Sequence, residues 1–203
     1  SVNEKGLYKD SEKKFEKVCK KVLPNFLNLP NSETQIFDFT LLLISKQYDS
    51  TQPDLLAISK DYSYFAIIEV ELSQHSLEDH VLPQMQSIVN AEYEDNATDI
   101  YNHLKKYNKK EFKFSREKFC NMVQMVEPEF ITVAEEFKSS WDTELKKLGV
   151  RYIGLTEFKN RAGEPVYYYK DSLTRKKFIN MKVKWNGSYF QIVGRENKIF
   201  KDT

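Results

Sequence analysis

The chain has 203 residues, 40% hydrophobic and 30% charged, with a net charge of +1. This composition is that of a globular and not a disordered chain, and the length suits one substantial core, or a core of roughly 150 residues with a small appendage. No apolar run approaches the roughly 20 residues that cross a bilayer, and the N-terminal SVNEKGLYKD lacks the apolar stretch of a secretory signal.

In chain order, Asp10 or Ser11 can cap a first helix, in which Phe15, Val18, Cys19 and Val22 form one apolar face. Pro24 and Pro30 close that region. Residues 36–44 (IFDFTLLLI) read as a strand, 55–59 as a second and 64–72 (YFAIIEVEL) as a third, with a short polar turn at 60–63. Ser76 followed by Asp79 resembles a capping box for a helix reaching about residue 92, with Pro83 as a kink or as its true start. Residues 93–118 are polar and helical in part. A strand at 129–134 (EFITVA), a helix at 140–148 stopped by Gly149, and a strand at 150–158 follow. This order predicts an α/β domain with a sheet between helices.

After Lys159 the texture becomes β-rich. The segments 161–164 (RAGE) and Asn186-Gly187 read as hairpin turns, and 167–169, 178–185 and 189–193 as short strands. The expected organisation is a core at 1–159 and a β-rich C-terminal extension at 160–203, packed on or following the core. Tyr167, Tyr168 and Tyr169 read as an alternating strand, with base stacking as the alternative. Trp141 and Trp185 read as packing residues.

Cys19 and Cys120 belong to no CxxC pair and the three histidines are scattered, which argues against a structural zinc site. Sparse cysteine without an export signal points to the reducing cytoplasm. Charge is uneven. Segments 105–118 and 170–184 are rich in Lys and Arg, whereas 69–99 is acidic.

The acids carry the chemistry. If the turn of the second hairpin centres between Asp61 and Tyr62, Lys60 faces Ser63 and Asp54 faces Glu69. Glu71 then shares a face with Glu69, because side chains alternate along a strand. Like charges opposed in a sheet destabilise it, unless a cation neutralises them or one is protonated. Hard carboxylate oxygens suit Mg²⁺ or Mn²⁺. The competing reading places these acids apart on a solvated face. Against it, Ala66-Ile67-Ile68 is continuously apolar, as in a strand covered on both sides.

Pro53-Asp54, fourteen intervening residues and Glu69-Val70-Glu71 together resemble the signature of the PD-(D/E)XK nuclease superfamily. The element order from about Ser11 to Phe158 resembles its restriction-endonuclease-like core, a central mixed sheet flanked by helices. Phe15-Glu16 resembles the first-helix "FE" of some branches, with Glu12 one turn earlier as the competing choice. The last motif position is usually Lys and is Glu71 here, as in some restriction enzymes of the superfamily. The spacing somewhat resembles bacterial phage-defence nucleases.

The resemblance implies metal-dependent hydrolysis of phosphodiester bonds, in DNA rather than RNA. Asp54, Glu69, Glu71 and the Val70 carbonyl would hold Mg²⁺ or Mn²⁺. Glu71 could instead accept a proton from the attacking water, and Glu16 could hold a second cation. Gln84, Gln86 and His80 on the following helix would approach the substrate, with Lys176 and Lys177 gripping phosphates. His80 is also a candidate general acid. The rival reading is a catalytically inactive nuclease-fold module that binds nucleic acid or a protein partner. A homodimer and a protein partner on the C-terminal extension are the other assemblies considered.

Overall fold

The computed structural model describes residues 4–27, 32–44, 50–159, 165–172, 182–185 and 190–193. It divides into two compact units, Ser1–Ser172 and Leu173–Thr203.

The first unit opens with α1 (Glu4–Val22). Asp10 and Ser11 stand inside this helix and do not cap it, because the residues around them are mostly strong helix formers and Ser11 lies on the exposed face. Phe15, Cys19 and Val22 are buried, as the period requires. Pro24 ends α1 and starts a short α2 (Pro24–Leu27), since a first-turn proline has no amide bond to lose. Pro30 lies outside the described residues.

The strand expected over 36–44 is split. β1 is Thr34–Asp38, whereas β2 (Leu43–Ile44) pairs with β3 (Ser50–Thr51) in a separate two-stranded ribbon. The chain leaves the main sheet after Phe39, whose N–H to the Asp54 carbonyl at 2.8 Å is the last rung of the β1–β4 register. Leu42 and Ile44 end up 64% and 59% exposed. Apolar character alone does not mark that departure.

β4 (Leu55–Ser59) and β5 (Phe65–Glu71) pair in the expected register, Leu55 opposite Ile68 through Ile58 opposite Phe65. Tyr62 adopts φ 61° in their turn, which Ser59 Oγ steadies by accepting from the Ser63 and Tyr64 amides. Every residue of β4 and β5 is buried.

After β5 the chain caps a helix with Ser76, which accepts from the Asp79 amide at 3.2 Å. The first turn, Leu77–Val81, is π-helical, and α3 (Leu82–Val89) continues it. In a regular helix the Pro83 ring would crowd the Asp79 carbonyl, and the widened turn relieves that contact. α4 (Ala97–Tyr107) and α5 (Arg116–Met125) follow, with Phe112 and Phe114 buried between exposed lysines. β6 (Glu129–Ala134) then pairs parallel with β5. α6 (Ser139–Lys147) ends before Gly149 at φ 72°, and β7 (Arg151–Lys159) lies parallel to β6.

β8 (Pro165–Asp171) runs antiparallel to β7 from Lys159–Pro165 to Ile153–Asp171. It completes the sheet β1-β4-β5-β6-β7-β8. The division between units therefore falls at 172/173 and not at 159/160. Tyr168 is exposed, and Tyr169 stacks on Phe26 at 4.2 Å, so the triple tyrosine alternates as a strand. Residues 161–164 lie outside the described residues.

One face of this mixed sheet is closed by α1 and α2 over Leu55, Ala57, Ala66, Ile68 and Val70. The other is closed by α3, α4, α5 and α6 over Phe37, Ile58, Phe65 and Ile67, with Trp141 in that core. The class is α/β. Among the described residues no helix is long and apolar enough to cross a membrane. In the second unit β9 (Lys182–Trp185) pairs antiparallel with β10 (Phe190–Val193). Asn186-Gly187 and the two lysines Lys176 and Lys177 lie outside the described residues.

Candidate metal centre

The β4–β5 ladder ends at Leu55–Ile68, one residue short of Asp54 and Glu69. Asp54 Oδ2 accepts the Val70 N–H at 2.8 Å, so its carboxylate takes an amide the ladder no longer serves. Its carbonyl holds Phe39, which anchors Asp54 from both sides. Glu69 and Glu71 share a face of β5 with Phe65 and Ile67, toward α3. They are 3% and 1% exposed, against the usual rule that carboxylates stay in water.

Their partners are few. Gln84 Nε2 donates to Glu69 Oε1. Glu71 Oε2 lies 2.6 Å from His75 Nδ1 and 3.6 Å from His80 Nε2. Glu69 Oε2 and Glu71 Oε1 are buried with no hydrogen-bond partner among the described residues. Thr132, opposite Glu69 in the parallel β5–β6 register, buries an unpartnered Oγ1 as well. From α1, Glu12 Oε2 stands 3.8 Å from His75 Nε2. Histidines are the only ion-pair partners this cluster has among the described residues. Lys138 Nζ, from the loop before α6, donates to the Ser73 carbonyl.

The electrostatics follow from that crowding. Burial, then the charges of Glu16, Glu12 and Glu71, push Asp54 up to about 8 despite the stabilising Val70 amide. Burial lifts Glu71 to about 7, with His80 working against the rise and Glu12 adding to it. Glu69 is raised well above the carboxylate range, by burial first and then by Asp54 and Glu71. Glu16 is raised too, by burial and then by Glu12 and Asp38. These mutual effects place Glu12, Glu16, Asp54, Glu69 and Glu71 in one acidic neighbourhood at the C-terminal end of β5.

Of the residues singled out in the sequence, Asp54 meets Val70, Glu69 meets Gln84, Glu71 meets His80, and Glu16 adjoins Asp54 electrostatically, but among the described residues the carboxylate oxygens of Asp54, Glu69 and Glu71 do not form a group within 4.8 Å of one another. Gln86 is exposed, about 200° around α3 from Gln84, and has no contact with the acids. The scattering of histidines along the sequence misleads. His75 and His80 meet edge to face, with ring centroids 4.7 Å apart, against Glu71. The signal was their position on either side of the Ser76 cap, just after the motif strand. Among the described residues, Glu71, His75 and His80 form the group of three whose ligand atoms lie within 4.8 Å of one another. An open cleft lined by Thr51, Gln52, Pro83 and Ser87 shares His80 and Gln84 with the site.

Comparison with protein-family models, curated proteins and solved structures gave no match.

Proposed function

We propose that the chain is a metal-dependent nuclease of the PD-(D/E)XK type, hydrolysing phosphodiester bonds of DNA in the reducing cytoplasm. The observation that carries this reading is the pair of buried, unpartnered carboxylate oxygens on Glu69 and Glu71, inside an acid cluster with no Lys or Arg ion pair among the described residues. An unpaired buried carboxylate is costly, and a divalent cation is the partner that oxygen-only donors suit. The pairing order supports it too, with two antiparallel strands, then a parallel strand after a helical crossover, and Glu69 and Glu71 at the carboxyl end of β5, where open α/β sheets bind ligands.

Asp54, Glu69 and the Val70 carbonyl would hold Mg²⁺ or Mn²⁺. Bound there, the cation would activate water and stabilise charge on the leaving oxygen. Gln84 fixes one oxygen of Glu69 and leaves the other for the ion. Glu71, lifted to about 7, is matched to take a proton from the attacking water near neutral pH. Glu12 and Glu16 deepen the negative potential that draws a cation in. The cleft beside His80 and Gln84 gives the phosphate its approach.

Single- and double-stranded DNA and RNA, incubated with Mg²⁺, Mn²⁺, Ca²⁺ or EDTA, test the proposal. DNA cleavage in Mg²⁺ or Mn²⁺, lost in EDTA and weak in Ca²⁺, is expected. Cleavage that persists in EDTA contradicts it. One observation favours the rival, an inert module. Glu71 replaces the usual Lys and already pairs with His75. Binding of nucleic acid or a protein partner without cleavage in any cation would establish that reading.

A further inference from the structure

We infer that Glu71, His75 and His80 form a second cation site, built for a borderline transition metal such as Zn²⁺ and not for Mg²⁺. The donor set is one carboxylate and two imidazoles. Imidazole selects zinc, cobalt, nickel or copper, whereas Mg²⁺ takes oxygen and keeps its waters. Three protein ligands with a fourth position open to water is the arrangement of reactive zinc sites, as distinct from closed structural ones.

The geometry supports the assignment at each ligand. Glu71 Oε2 to His80 Nε2 is 3.6 Å, close to the roughly 3.3 Å between ligand atoms of a tetrahedral site with 2.0–2.1 Å bonds. Glu71 Oε2 to His75 Nδ1 is 2.6 Å, a hydrogen bond whose shared proton the cation would replace. Glu12 Oε2, 3.8 Å from His75 Nε2, stands behind the ring on its other nitrogen. A carboxylate so placed fixes the tautomer and orientation of a ligating imidazole. Glu71 is 1% exposed, and a cation on the Oε2 that faces both imidazoles relieves the burial of its charge. The His80 side chain is 51% exposed, which leaves a route for the ion and room for its water.

The fold explains why these residues meet. β5 delivers Glu71 at its last position, His75 folds back with its N–H on the Leu72 carbonyl at 2.9 Å, and the π turn presents His80 beside it. Widened turns of this kind recur at functional sites. Zn²⁺ here would take Glu71 as a ligand in place of its role as base, so the site does not rest on nuclease activity, and it uses nitrogen donors that the oxygen site of Asp54, Glu69 and Val70 lacks.

The chain has three histidines, which gives the test its internal control. Imidazole ¹⁵N–¹H spectra of the intact protein, assigned with single His→Ala variants, are followed during Zn²⁺ titration. The His75 and His80 signals should move together and saturate at one equivalent, with His103 in place. Millimolar Mg²⁺ should not reproduce the Zn²⁺ shifts. Zn²⁺ affinity, read by competition with a chromophoric chelator, should fall at least about tenfold in His75→Ala and in His80→Ala, and about tenfold in Glu12→Gln. Circular dichroism melts identify any variant that fails to fold, and the wild-type spectra decide in that case. Zn²⁺ that leaves both signals unmoved, or moves His103 as far, overturns the proposal. So does an affinity unchanged in a folded His80→Ala protein. Absence of nuclease activity would alter none of these readouts.

Discussion

At the start of β7, Arg151 lies among Asp171, Glu129 and the Tyr169 hydroxyl, at 2.5–3.2 Å, and Tyr64 adds a hydrogen bond to Glu129 at 2.7 Å. Burial works against its charge, yet the Asp171 hydrogen bonds and the neighbouring acids hold its pKa above the usual guanidinium range. At the other end of the same parallel strands, Glu69 and Glu71 are buried more deeply and meet no Lys or Arg among the described residues. One sheet thus buries charge in two ways. The Arg151 end is complete within the chain and reads as structure, whereas the Glu69 end is a cluster of like charge whose balance must come from protons or from an external cation.

Variants at the two ends should fail differently. Removing an acid by Asp54→Ala or Glu69→Ala should cut Mg²⁺-dependent cleavage on the order of a thousandfold, about 4 kcal/mol, the scale of a lost Lewis acid. DNA binding should be kept or tightened, because an anion facing the phosphates is gone; parallel cleavage and filter-binding assays show the split. Arg151→Met should cost about 3–5 kcal/mol of stability by denaturant titration, since it leaves Asp171 and Glu129 half-buried without their counter-charge, held only by the Tyr169 and Tyr64 hydroxyls. Cleavage per folded molecule should be unchanged.

Asp54→Asn should do the reverse for metal-free protein at pH 8. The amide oxygen can still accept the Val70 N–H while the repelled charge disappears, so stability should rise by about 1–3 kcal/mol. The pH dependence has the same origin. Asp54 and Glu71 titrate at about 8 and about 7 in the folded protein, above the ordinary carboxylate range. Between that range and pH 8, the folded state binds protons that the unfolded chain has released. Stability of the metal-free protein is therefore full only below the ordinary carboxylate range, falls as pH rises from there, and levels off above about 8. Thermal melts from pH 5 to 9 should show this slope, and Mg²⁺ should flatten it. The smallest effect belongs to the second unit. Charge reversal of Lys176 and Lys177 should weaken DNA binding across sequences and reduce its salt slope by about 1 per lost phosphate contact. An unchanged slope would point to a protein partner for that segment.

Local physics made much of this legible. The hairpin register could be counted from a polar turn, so Asp54 and Glu69 fell at the same level before any fold was known. Ala66-Ile67-Ile68 announced a strand covered on both faces. The departure of the chain after Phe39 is hidden because the apolar run continues through it to Ile44. β8 was assigned to an extension because its alternation of exposed and half-buried residues looks the same on an edge strand of the main sheet. His75 was missed because its role needs the π turn and α1 together. No periodicity in 72–80 encodes the meeting of Glu12, Glu71 and His80 around it.

Calorimetric titration of Mg²⁺ into the wild-type protein and Glu69→Ala, in two buffers of different ionisation enthalpy at pH 7, tests the central claim most directly. A cation that replaces protons on the buried acids should bind wild type with proton release, so the apparent enthalpy should differ between buffers. Glu69→Ala should bind at least about tenfold more weakly. Mg²⁺ binding that is absent in wild type, or equal in the two proteins, would contradict the account.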